Sequence, residues 1–291
     1  MCSILQLPLF SVVILHKNCN NIIMKTQDIF SKLWLDYITR NPDVKKVHDL
    51  FIAEGEAVVN DHIAFRTFSD SRVNVDVLSK IFLQAGYVEK GQYTFEQKHL
   101  FAKHFEIEKD PLAPRVFISE LVTKDFSPFL QKTVTEVVDK IPHELPGSDE
   151  LIFSGRTWGK SSFKIYEELR KESEYAAWLY VNGFTVNHFT VSVNALKKYD
   201  TVEKVNSFLK SKGFIINDAG GEIQGTPAEL LEQSSVKAAV IPIEFVEGTY
   251  DVTSCYYEFA KRYPDTDGKL YSGFIAKSAD RIFQSTDLYK K

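Results

Sequence analysis

From Asp28 onward, apolar residues recur at Ile29, Phe30, Leu33, Trp34, Tyr37 and Ile38, a stripe at helical period that predicts one amphipathic helix. Asn41-Pro42 ends it and opens a second helix, with proline at the first helical position. That helix carries Val44, Val47 and Phe51. The pattern then changes to short apolar runs. A strand is predicted over 61–68, a helix through Val77, Leu78, Ile81 and Phe82 that Gly86 stops, and extended segments near 87–91, 99–107 and 115–122.

The first of these strands returns. Asn60-Asp61-His62-Ile63-Ala64-Phe65-Arg66 reappears in reduced form as Val186-Asn187-His188-Phe189-Thr190-Val191. His62 lies 24 residues before Gly86-Tyr87, and His188 lies 25 before Gly213-Phe214. A strand, a helix and a second strand of matched length therefore occur twice, and such self-similarity outranks any single motif. Either histidine alone reads well as a satisfied core residue. Two at matched register point to modules that present a histidine at the same structural position.

Between the copies, helices are predicted near 127–140 and, longer, near 162–180. The second copy continues with a helix carrying Val202, Val205, Phe208 and Leu209, then a strand at Phe214-Ile215-Ile216. A Gly-rich turn over 218–225 precedes a short helix from Thr226, and strands near 238–246 and 253–260 complete the copy. The turn lacks the glycine spacing and lysine of a phosphate loop.

Composition narrows the class. The 291 residues are 44% hydrophobic, enough for a sizeable core. The 35 basic and 39 acidic residues are mixed along the chain, so no nucleic-acid groove is indicated. Cys2, Cys19 and Cys255 have no framework spacing, which points to a reducing, cytoplasmic setting. The apolar run Ile4–Leu15 is too short to cross a bilayer, so no membrane partner is expected. Residues 1–23 read as an extension or weak targeting segment ahead of a natural beginning at Met24, and they leave organellar targeting open.

Two histidines and one carboxylate hold transition metals while leaving positions open for substrate and dioxygen. His62 and His188 supply the nitrogens. Glu120, Glu244 and Glu258 are the candidate carboxylates, each set in a strand-like run where a glutamate is costly without a partner. Pattern alone does not choose between Glu120 and Glu258, and Glu244 stands behind them. Arg66 lies four residues beyond His62, on the same strand face. An inward arginine needs an anion, either a bound carboxylate held by its fork or an internal glutamate. Arg262 is a weaker candidate of the same kind. His16, His48, His99, His104 and His143 read as solvated or half-buried.

Five separated motifs carry a resemblance. They are Asp61-His62-Ile63-Ala64-Phe65-Arg66, Val116-Phe117-Ile118-Ser119-Glu120-Leu121, Asn187-His188-Phe189-Thr190, Leu230-Leu231-Glu232-Gln233-Ser234-Ser235, and Ser254-Cys255-Tyr256-Tyr257-Glu258-Phe259-Ala260-Lys261-Arg262. Over about residues 25–289 the chain resembles the 2-oxoadipate dioxygenase/decarboxylase (2-hydroxyglutarate synthase) family of the vicinal oxygen chelate superfamily. The resemblance implies an α+β fold of paired βαβββ modules around a metal cavity, with added helices. It implies Fe(2+) held by His62, His188 and Glu258, with Arg66 on the substrate carboxylate and Glu120 outside the ligand set. The implied reaction, in lysine breakdown, takes 2-oxoadipate and O2 to 2-hydroxyglutarate and carbon dioxide.

The expected organisation is a single catalytic domain over 24–291. It comprises module one at about 58–122, a helical insertion at about 125–180, module two at about 185–262 and a tail at 263–291. A non-redox lyase or isomerase of the same superfamily, and a silent oxo-acid binding protein, are the alternatives.

Overall fold

The computed structural model describes residues 24–110 and 112–275. The expectations for residues 1–23, with Cys2, His16, Cys19 and the start at Met24, and for the tail beyond 275 fall wholly or partly outside those residues.

Helices α1 (Thr26–Arg40) and α2 (Pro42–Ala53) follow the predicted stripe and share Asn41 as their junction. An eight-stranded mixed sheet forms from β1 (Asn60–Phe68), β2 (Val88–Phe95), β3 (Leu100–Glu106), β4 (Arg115–Leu121), β5 (Val186–Ser192), β6 (Gln224–Thr226), β7 (Leu231–Ser235) and β10 (Glu258–Arg262). Its order is β2-β3-β4-β1-β5-β10-β7-β6. The order reads the same from either edge: β1 and β5 meet antiparallel at the centre, and each pairs parallel with the last strand of its own module, β4 or β10. The repeat seen in the sequence is thus a repeat of topology.

Strand alternation gives the sheet two different faces. On one, Phe65 packs on Phe82 of the crossover helix α4 (Lys80–Gln84), which follows the short helix α3 (Val75–Leu78), and Phe189 packs on Trp34 and Tyr37 of α1. Helix α8 (Val202–Ser211) meets the same face, where Ser234 Oγ donates to Asn206. The other face carries His62, Ala64 and Arg66.

The helix expected over 162–180 is two helices, α6 (Phe163–Glu172) and α7 (Glu174–Asn182), after α5 (Pro128–Val138). Ser173 divides them: its backbone is extended, and its hydroxyl accepts from Ala176 N to cap α7. Gly183 ends α7 at φ 71° and lies so close to Gly155 that any β-carbon there would strike its carbonyl. That approach forms the bridge Gly155↔Phe184, from which the chain enters β5.

Module two departs from the sequence reading in three places. The strand expected at Phe214-Ile215-Ile216 is only an isolated bridge, Ile216↔Val236. Thr226-Pro227-Ala228-Glu229 makes only a single 3-10 turn, which Leu230 ends in the left-handed region, and the next residues are strand β7 rather than helix. Nothing local marks Leu-Glu-Gln-Ser-Ser as a strand; its pairing with β10 creates it. The predicted strand 253–260 is also divided. Val240–Phe245 (β8) and Gly248–Thr253 (β9) form a separate hairpin, and residues 254–257 link it to β10.

Candidate metal centre

The ladders of three adjacent strands assemble the site. His62 on β1 pairs with Thr190 on β5, and Thr190 pairs with Glu258 on β10. These three side chains therefore form one row across the sheet. His188 sits two residues before Thr190 on the middle strand, hence on the same face. His62 Nε2 lies 3.4 Å from Glu258 Oε1, and His188 Nε2 lies 3.4 Å from Glu258 Oε2. The imidazole rings stand nearly perpendicular, 5.5 Å apart.

All three groups are sealed from solvent, at 2%, 5% and 1% exposure. Two imidazoles and a carboxylate converging in such a place are costly unless a cation joins them. One ligand atom from each lies within 4.8 Å of the others. The hydrogen bonds around them fit that use. His62 Nδ1 is 2.8 Å from Asp61 Oδ2, and His188 Nδ1 is 3.0 Å from Asn187 Oδ1. Those acceptors assign the ring protons to Nδ1 and leave both Nε2 lone pairs facing Glu258. Gln233 Nε2 donates to Glu258 Oε1 at 2.6 Å, and Thr190 Oγ1 lies 3.1 Å from His62 Nε2. The cluster suits a divalent metal.

The electrostatics agree. Burial pulls the His62 pKa down against the pull of Asp61, and burial with the charges of His62 and Arg66 pulls that of His188 well down. Both rings are therefore neutral, the form that ligates. Burial pushes Glu258 up to about 8, with Gln233 opposing. Asp61 is also buried, but Arg262 and the His62 contact override burial and hold its pKa far below the usual range. Arg262 grips Asp61 twice, Nε to Oδ1 and Nη2 to Oδ2, each at 2.8 Å. Its Nη1 donates to the carbonyls of Tyr271 and Gly273. That tie holds Phe274 edge-on against His62, with ring centroids 4.9 Å apart.

Arg66 is 1% exposed. Its guanidinium carbon is 4.9 Å from the Tyr175 ring centroid and 5.1 Å from that of Trp178, both on α7. Those rings are pinned by bonds from Tyr175 OH to Ser119 O and from Trp178 Nε1 to Ser254 O.

Among the other candidates, Glu120 is on the wrong face. It pairs with Thr67, whose side chain opposes those of His62 and Arg66, and its carboxylate accepts from Val75 N at the start of α3. Glu244 is exposed and pairs with Lys160. Arg262 is spent on Asp61 and the carbonyls. His48 is half-buried, and His99 and His143 are exposed. His104 departs from expectation: it is buried, between Tyr93 OH at Nδ1 and Glu106 at Nε2, because its strand position faces inward beneath Phe274. Sequence reasoning gave no role to Asp61, Asn187, Thr190, Gln233 or Phe274. The polar residue before each histidine was a signal in the repeat itself; the others emerge only with the register.

Fold and site together define a paired-module α+β protein with a buried two-histidine, one-glutamate centre. A Ralstonia eutropha JMP134 structure of the glyoxalase superfamily shares this fold, with a TM-score of 0.72 at 21% identity, over 86% of this chain and 85% of that one. The profile of the 2-oxoadipate dioxygenase/decarboxylase family matches residues 29–143 and 151–266, and the chain belongs to that family. The chloroplastic 2-oxoadipate dioxygenase/decarboxylase of Arabidopsis thaliana is 34% identical over 277 residues, 86% of this chain and 74% of that protein. The crystal structure of hydroxyglutarate synthase from Oryza sativa, in complex with 2-oxoadipate, has a TM-score of 0.83 at 30% identity, covering 89% of this chain and 91% of that one. A Shewanella frigidimarina NCIMB 400 structure, described as a candidate hydrolase, is 46% identical with a TM-score of 0.82, over 87% of this chain and 98% of that one. Among the described residues no helix is long and apolar enough to cross a membrane.

Proposed function

We propose that the chain is an Fe(II)-dependent dioxygenase/decarboxylase that converts 2-oxoadipate and O2 to 2-hydroxyglutarate and carbon dioxide. The observation that carries this reading is the sealed row of His62, His188 and Glu258, in a chain related to proteins named for that activity. The three side chains are the ligands, and the set leaves part of the coordination sphere for an oxo acid and dioxygen. Ferrous iron supplies the one-electron chemistry that lets dioxygen react with a closed-shell acid. The overall reaction balances without a further reductant.

The remaining tasks fall to the chain. Asp61 and Asn187 hold the imidazoles in one tautomer, and Gln233 orients the carboxylate. Arg66 binds the distal carboxylate of the substrate. The guanidinium lies over the rings of Tyr175 and Trp178, and its fork geometry suits a carboxylate. Trp178 and Tyr175 lie against Arg66 and Phe274 against His62, and these rings would exclude water from a bound acid. Fixing both ends of a six-carbon diacid determines which carbon meets the oxidant.

The test is oxygen uptake and carbon dioxide release by anaerobically Fe(II)-loaded protein given 2-oxoadipate alone. Both should appear in equal amounts with 2-hydroxyglutarate. A strict requirement for added 2-oxoglutarate would overturn the proposal.

A further inference from the structure

Two adjacent tyrosines, Tyr256 and Tyr257, bury their hydroxyls with no hydrogen-bond partner among the described residues. Each has 0% exposure. Buried polar groups are nearly always paired, and an unpaired one is a net loss to folding. Here two occur in succession, in the segment that leads into Glu258.

Their surroundings differ. Tyr257 turns to the helical face, with its ring 5.9 Å from Trp34 and 5.6 Å from Phe259. Tyr256 turns to the site, with its ring stacked on His188 at 4.7 Å and 27°. Its carbonyl accepts from Tyr37 OH, which fixes the backbone there. A phenol hydroxyl can donate, and this one is buried beside the centre without a partner among the described residues. Nδ1 of each histidine is engaged by Asp61 or Asn187, and Gln233 is bound to Glu258. An oxo acid brings the reverse chemistry, since its carboxylates and keto group are acceptors only.

We infer that Tyr256 is a substrate-contacting residue, its hydroxyl donating to an oxygen of the 2-oxo acid bound between His188 and Arg66. Binding then gives a partner to a hydroxyl that has none among the described residues. Tyr257 has no such partner to meet and is an internal control on the same segment.

This rests on the functional reading above, and the test separates the two. Wild type, Tyr256→Phe and Tyr257→Phe are compared in three measurements: iron content after anaerobic loading, melting temperature without ligand, and the Kd for 2-oxoadipate in anaerobic titration of the loaded protein. Tyr256→Phe should keep its iron, melt at or above wild type, and bind 2-oxoadipate about 10- to 100-fold more weakly. Tyr257→Phe should melt at or above wild type with an unchanged Kd. If wild type binds 2-oxoadipate but Tyr256→Phe binds it equally well, the contact is overturned and the functional reading stands. A fall in melting temperature for Tyr256→Phe alone would make the hydroxyl a structural group and also overturn it. No binding by loaded wild type overturns both.

Discussion

Asp61 Oδ2 sits 2.8 Å from His62 Nδ1, and both groups are buried. The same carboxylate is the counter-ion of Arg262, so one aspartate sets the His62 tautomer and neutralises a buried guanidinium. Asp61→Asn removes the charge and keeps the shape. Metal affinity should fall by about 10- to 100-fold, as when the group behind a ligating histidine is lost. Arg262 would be left without its counter-ion, so the variant should also be less stable by about 3–5 kcal/mol. Chelator competition and denaturant melts measure the two effects. An unchanged affinity would mean that the Asp61 contact does not govern His62.

The second prediction separates the carboxylates. Glu258→Gln should abolish stable iron binding, as should His62→Ala and His188→Ala, with folding largely kept. Glu120→Gln should leave iron content intact, because that side chain faces α3. Iron analysis after anaerobic loading decides it; iron that depends on Glu120 and ignores Glu258 would overturn the assignment.

These carboxylates also show what the sequence could carry. Pairing His62 with His188 needed only a local count, because each is the third residue of the first strand of its module. Choosing Glu258 over Glu120 needed register. If His62 matches His188, then Ala64 matches Thr190, and their parallel-ladder partners are Phe117 and Glu258. The true counterpart of Glu258 is therefore Phe117, three residues from Glu120, and an odd offset reverses the face. Strand β7 was hidden for a related reason: it has little intrinsic strand character and becomes a strand through its partner. Arg66, by contrast, was legible because alternation within one strand fixes its face.

Metal replacement distinguishes an oxygenase from a non-redox lyase with the same ligands. The Zn(II)-loaded protein should bind 2-oxoadipate yet consume no oxygen and form no product, since Zn(II) has no redox chemistry. Product formed without oxygen by the zinc form would favour the lyase.

Away from the site, Glu247 between β8 and β9 caps α6. Its carboxylate accepts from Ser162 Oγ and from the backbone N–H of Phe163 and Lys164. The Ser162 bond and those amides lower its pKa from 4.5 to about 2. A depressed carboxylate stabilises the fold fully above its unfolded value, and that contribution is lost as pH falls through the folded one. Glu247→Gln should therefore melt below wild type at neutral pH, and the gap should close between about pH 4.5 and 2. A gap independent of pH would mean that the charge is not what caps the helix.

The remaining prediction concerns Arg66, buried against Tyr175 and Trp178 on the face it shares with His62. If it holds the distal carboxylate, Arg66→Ala removes a charge-assisted contact and leaves the anion poorly solvated. The loss should be about 2–5 kcal/mol in transition-state binding, or roughly 30-fold to several-thousand-fold in kcat/KM. Iron content should change little. Preference should move toward 2-oxohexanoate, whose uncharged tail needs no arginine. Arg66→Lys should recover only part of the activity, because a point charge cannot reproduce a planar fork. An arginine that serves only the core predicts a different result: removing it lowers melting temperature and slows both substrates alike. The deciding measurement is kcat/KM for 2-oxoadipate and 2-oxohexanoate in wild type and Arg66→Ala, with iron content and melting temperature taken on the same samples. An unchanged ratio between the two acids, together with a large fall in melting temperature, would return Arg66 to a purely structural role.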